Sequence, residues 1–194
     1  MTEFMGYGKA ASFLAEVVSS DSESEALSYC YPGAMLDAWV PGVAVRVVPS
    51  SGAEWLGYFM QGKESPNAID LCCIHPDSER LIVVAKGAGY VVSPKTPTQW
   101  EEIPLRPILG HRFDEGSNTL VLFDYTRALG IGEKGYAWKT PSLSWDGLTD
   151  VEVKNGVLFG NGWDAASSRF VPFQVRLSDG IHSGGASPPR DQLE

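Results

Sequence analysis

Two Trp-Asp dipeptides stand in turn-rich sequence, Trp145-Asp146 in LSWDGL and Trp163-Asp164 in NGWDAA. An indole face beside a carboxylate can stack a sugar ring or hold a cationic group, the ring through its negative face and the carboxylate through its charge. The same residues have a plainer use, in which each Asp caps its own turn and each Trp packs over a sheet edge. Trp145, Asp146, Trp163 and Asp164 are therefore the candidate ligand-binding residues. The spacing of the remaining reactive side chains singles out no catalytic set, since a Ser/His/Asp or Cys/His site is assembled by the fold and not by sequence spacing. His111, Asp114 and Glu115 lie together in GHRFDEG, and His75 and His182 are the other histidines. No serine stands in a G-x-S-x-G frame, and no Asp/Asn-rich stretch has calcium-loop spacing. Cys30, Cys72 and Cys73 are odd in number and two are adjacent, which is no disulfide framework. On a strand, Cys72 and Cys73 point to opposite faces and cannot jointly hold a metal, so buried free thiols are expected. No catalytic residue, metal ligand or cofactor is assigned.

The elements that must position the Trp-Asp residues are short strands. From Thr119 to Gly180 the runs TLVLFDY, GYAWKT, VEVK, VLFG and FVPFQVRL are separated by Gly-, Asn- and Asp-bearing turns. Asn155-Gly156 between VEVK and VLFG is the strongest hairpin signal. A hairpin returns the chain to the end it left. The loops TPSLSWDGLT and NGWDAASSR, on either side of that hairpin, should therefore emerge at one end of the sheet and bring the two Trp-Asp pairs within reach of each other. Upstream, VAVRVV, EWLGYFM, AIDLCCI, RLIVVAK and GYVVS read as further strands. The expected core includes Val45, Val47, Leu71, Ile82, Val84, Val91, Leu122, Phe123, Trp138, Val157, Phe173 and Val175. From Lys9 to Val18, Ala10, Phe13, Leu14, Val17 and Val18 recur at helical spacing and predict a short amphipathic helix. A second helical turn is expected over Gly33–Trp39, stopped by Pro41.

These elements divide the chain into an N-terminal helical segment and loop (1–42), an antiparallel β domain (43–182) and a flexible tail (183–194). The closing Leu193-Glu194 reads as a cloning scar. The stretch IDLCCIHPDSERLIVVAKGAGYVVSPKTPTQWEEIP resembles one blade of a β-propeller, with four short strands, a Pro-Asp turn after the first and a glycine turn after the second. LVLFDYTRALGIGEKGYAWKT echoes it. WD-repeat propellers carry a Trp-Asp pair once per blade, about 40 residues apart; the two pairs here are closer than that. About a dozen strands would make three blades where propellers have four to eight, so the fold expected is all-β: a mostly antiparallel two-sheet sandwich or open barrel with blade-like hairpins and a short N-terminal helix. His75-Pro76-Asp77 matches the tripeptide of J-domain co-chaperones. Here it lies between strands, where it reads as a turn.

Composition narrows function further. The chain has 194 residues, 43% of them apolar, and a net charge of −9 from 24 acidic and 15 basic residues. Scattered basic residues in an acidic chain do not suit phosphate backbones, so no nucleic-acid partner is expected. Lys9 and Glu16 interrupt the N-terminal apolar run, so neither a signal peptide nor a membrane partner is expected, and the default location is cytoplasmic. The reading favoured is a non-enzymatic protein-binding module whose acidic surface suits a basic protein partner. Small acidic bacterial immunity proteins share this charge and size, by analogy alone. The alternative is a carbohydrate- or small-ligand-binding domain with scope for hydrolase activity, using the Trp-Asp turns together with Trp55, Trp100 and Tyr136. Strands apolar on both faces also suit a homo-oligomer interface.

Overall fold

The computed structural model describes residues 3–19, 25–33, 42–63 and 65–187. Among the described residues are seventeen strands and no helix. Past Gly33, the second helical turn expected from the sequence lies outside them, as does the tail beyond Ser187. The chain divides into two compact units, Met1–Ile108 and Leu109–Glu194.

The first unit holds β1 (Phe4–Met5), β2 (Phe13–Val18), β3 (Leu27–Tyr31), β4 (Gly42–Pro49), β5 (Trp55–Met60), β6 (Leu71–Ile74), β7 (Leu81–Ala85), β8 (Ala88–Val92) and β9 (Trp100–Glu102). They form two sheets, ordered β1-β6-β7-β8-β9 and β2-β4-β5-β3. Pairing is antiparallel except for β1 with β6 and β3 with β5. Val45, Val47, Trp55 and Phe59 from one sheet share a core with Cys72, Ile74, Leu81, Val83, Tyr90 and Val92 from the other. Two of its large aromatics satisfy their polar tips at the rim: Trp55 Nε1 donates to Pro94 C=O at 2.8 Å and Tyr31 Oη to Pro97 C=O at 2.9 Å.

The expected N-terminal helix is not formed; Phe13–Val18 is strand β2, paired with β4 from Phe13↔Pro49 to Val18↔Ala44. The reason is that its apolar positions satisfy two periods at once. Phe13 and Val17 are four apart, as on a helix, but Phe13, Ala15 and Val17 are also alternate residues, and all three pack on the core. The unsatisfied edge of β4 decides between them, because tertiary pairing outweighs a weak helical period.

The second unit holds β10 (Gly110–Asp114), β11 (Thr119–Phe123), β12 (Ala128–Gly132), β13 (Gly135–Lys139), β14 (Leu148–Lys154), β15 (Val157–Asp164), β16 (Arg169–Arg176) and β17 (His182–Gly184). They make two four-stranded meanders, β10-β11-β12-β13 and β14-β15-β16-β17. Val121, Phe123, Ala128 and Trp138 from the first pack with Val151, Leu158, Phe173 and Val175 from the second. Trp138 lies flat on Gly130, where a Cβ would meet its ring at 2.3 Å, and its Nε1 donates to Leu177 C=O at 2.6 Å. The single two-sheet sandwich or open barrel expected from the sequence therefore gives way to four separate sheets, none closed on itself among the described residues. Three of them, β6–β9, β10–β13 and β14–β17, have the up-and-down four-strand order that the blade resemblance implied. Of the expected core residues, all are buried except Val157, which is half-exposed.

Candidate functional site

Asn155 and Gly156 both have positive φ (53° and 73°), the backbone of a tight two-residue hairpin between β14 and β15. The segment before β14 and the turn after β15 therefore meet at one end of the sheet, and backbone bonds join them. Trp145 N–H donates to Trp163 C=O at 2.9 Å, and Trp163 N–H lies 3.3 Å from Gly147 C=O. Residues 145–147 thus bracket residue 163. The fully buried Ser144 reinforces this: its hydroxyl donates to Gly147 C=O at 2.7 Å and accepts from Trp163 N–H at 2.8 Å. So close an approach needs Gly162, where a Cβ would sit 2.0 Å from the Leu143 carbonyl oxygen. That carbonyl also accepts from Ala186 N–H at 2.9 Å, and Ser187 Oγ donates to Ser142 C=O at 2.6 Å. The loop is a shelf tied to β15 and to the segment after β17.

On this shelf the indoles of Trp145 and Trp163 are both half-buried. They are joined through the backbone and not through ring contact. Trp163 instead meets Phe170, its cross-strand partner on β16, edge-to-face with ring centroids 5.2 Å apart. Phe170 is 47% exposed. It belongs to the site and is absent from the set read from sequence, although its parity on β16, opposite to the inward Phe173 and Val175, marks it as outward-facing. Ser144 carried no sequence signal at all.

The two aspartates differ in employment. Asp164 accepts from Ala166 N–H at 3.1 Å, from Ser167 N–H at 3.3 Å and from the Ser167 hydroxyl. The hydroxyl bond, ahead of the two amides, holds its carboxyl below the usual range. Asp164 is a turn cap. Asp146 is exposed, and its carboxylate has no hydrogen bond or ion pair among the described residues.

Part of the other candidate chemistry is used by turns and by the core. Asp114 accepts from Ser117 N–H at 2.8 Å and caps the β10–β11 turn. Burial, with Arg112 adjacent, lowers the pKa of His111. His75 is 1% exposed inside the Pro-Asp turn, its Nδ1 3.0 Å from Asp77 Oδ1 and 3.1 Å from Asp77 N. Cys72 and Cys73 are buried back to back on β6. Trp55 is a core residue, Trp100 is half-buried against Tyr31 and Tyr90, and Tyr136 is 37% exposed on β13. A shallow concavity of about 230 Å³ beside Trp100 is lined by Arg80 and Glu101. The Arg80 guanidinium there is engaged by Asp77 at 2.6 Å and Glu101 at 3.5 Å. Such a volume lies below the roughly 300 Å³ at which small-molecule sites begin. No described helix is long and apolar enough to cross a membrane.

No family model and no curated protein sequence matches the chain. Among solved structures it is similar to a crystal structure of the eukaryotic initiation factor, at 12% identity and a TM-score of 0.38 over 73% of this chain and 39% of that one. It is also similar to the crystal structure of the N-terminal domain of Nup159, at 13% identity and a TM-score of 0.42 over 100% of this chain and 55% of that one. The chain thus spans about two fifths and about half the length of these two, and likeness at this level assigns it to no family.

Proposed function

We propose that this chain is a non-enzymatic binding module that docks a partner protein on the corner formed by Trp145, Trp163 and Phe170. The observation that carries the reading is a cluster of partly exposed aromatics locked by backbone bonds at one end of a sheet. Rigid aromatic anchors of this kind concentrate binding energy, because little side-chain entropy is lost on contact. Three carboxylates that lie in turns, Asp77, Asp114 and Asp164, are spent on capping them. The net charge of −9 suits a basic partner. Pull-down from a native lysate at low and moderate salt, with the parent and Trp145→Ala side by side, tests this. A protein retained by the parent and lost by the variant is expected; a parent that retains nothing at either salt sinks the reading.

A second reading has the same indoles stacking a sugar ring. Tryptophan fluorescence titrated against a glycan panel separates the two, since a stacked sugar shifts emission without any protein partner.

A further inference from the structure

Resting on that reading, we infer that the corner receives an arginine or lysine side chain carried by an extended segment of the partner, the cation lying between the Asp146 carboxylate and the indoles. Three observations converge on this. The first is charge that remains unspent. Asp164 is consumed by its turn, and Asp150 accepts from Asn161 Nδ2 at 3.0 Å, but Asp146 is exposed and unpaired among the described residues. The second is its placement. Asp146 lies between Trp145 and Gly147, the two residues whose backbones bond to Trp163, so the backbone that carries the open carboxylate is held next to both Trp-bearing segments. A carboxylate next to indole faces favours a cation by direct attraction and by the ring quadrupole together.

The third is an open backbone edge. β17 covers β16 only from Phe173 to Val175, and Gly185 N–H to Pro172 C=O is the last bond on that side. Phe170 has the parity of Pro172, so its N–H and C=O point the same way, past the end of β17. No described strand lies there. An extended segment can therefore hydrogen-bond to Phe170 while its side chains cross the Trp163–Phe170 ring pair towards Asp146.

The test uses the full chain and a pentapeptide, acetyl-Gly-Arg-Gly-Arg-Gly-amide, against the same peptide with citrulline at both arginine positions. Citrulline keeps the shape and removes the charge. Tryptophan emission is followed at low and near-physiological salt. The parent is expected to bind the arginine peptide saturably and the citrulline peptide not at all. Asp146→Asn should weaken binding about fivefold, the combined scale of an exposed ion pair and a cation–aromatic contact. Glu152→Gln, which removes one charge from the same sheet further along β14 towards the Asn155-Gly156 hairpin, should change affinity by less than about twofold. Equal binding of both peptides overturns the inference, as do equal effects of the two variants or no binding of the arginine peptide to the parent. If it is overturned while Trp145→Ala still loses a partner in the pull-down, the cation pocket is wrong and the binding module stands.

Discussion

A carboxylate can be recruited for chemistry or for architecture, and Asp77 shows what the second use costs and gives. Burial raises its pKa, but His75, the Glu79 N–H and Arg80 bond to it and hold it well below the ordinary carboxylate range. Its oxygens accept from Glu79 N–H at 2.9 Å, Arg80 N–H at 3.0 Å and Arg80 Nε at 2.6 Å, which fixes the turn between β6 and β7. A carboxyl depressed in the folded state stabilises fully above its unfolded value of about 4 and loses that contribution as pH falls towards the folded one. Asp77→Asn should therefore lower stability at pH 7 by about 1–2 kcal/mol, with a smaller difference from the parent at pH 3. Thermal melts at both pH values check this, and an unchanged difference would contradict it. The thiols make a parallel case. Burial pushes Cys73 up to about 12 and Cys72 higher still, leaving almost no thiolate on either at pH 8, whereas Cys30 is partly exposed. Mass spectrometry after brief native alkylation should find one label, on Cys30, and three labels after denaturation.

The loop before β14 is held against β15 by contacts that tolerate little change, and Gly162 is the tightest of them. A methyl group there collides with the Leu143 carbonyl, so the loop must lift and the bonds from Trp145 and Ser144 to Trp163 must lengthen or break. Gly162→Ala should cost about 1–3 kcal/mol, the usual scale of overpacking, and should red-shift tryptophan emission as Trp145 and Trp163 gain water. A blue or unchanged spectrum with parental stability would show that the loop is not clamped there. This meeting of loops was legible in the sequence, because Asn-Gly fixes a hairpin and a hairpin fixes which loops share an end. The clamp itself was not legible. Ser144 and Gly162 each act across nineteen residues of chain, and a buried serine or a close-packed glycine has no local signature. Strand β2 was misread for a related reason. Its helical period was real but degenerate with a strand's, and only the partner β4 resolves it. Strand β3 pairs in parallel with β5, and non-local parallel pairing leaves no mark on the flanking sequence.

At the scale of the molecule, the sequence specified strands well and their partition into sheets poorly. RLIVVAK and TLVLFDY are apolar on both faces, the pattern of central strands, and β7 and β11 are buried along their whole length. Yet whether seventeen strands form two sheets or four depends on where each meander stops, and the turns within a meander look like those between meanders. Charge, in contrast, belongs to the whole chain and can be argued without knowing the sheets. A net charge of −9 produces a field that reaches about 30 Å at 0.01 M ionic strength and about 8 Å at 0.15 M. For the basic partner proposed above, that field acts on the approach, while the aromatic corner acts on the bound state. Raising salt across this range should therefore slow association by about tenfold or more and leave dissociation almost unchanged. Trp145→Ala should do the reverse, accelerating dissociation and sparing association. Surface plasmon resonance with the captured partner separates the two rate constants. If salt accelerates dissociation as strongly as Trp145→Ala does, the contact is electrostatic throughout and the aromatic corner is not its anchor.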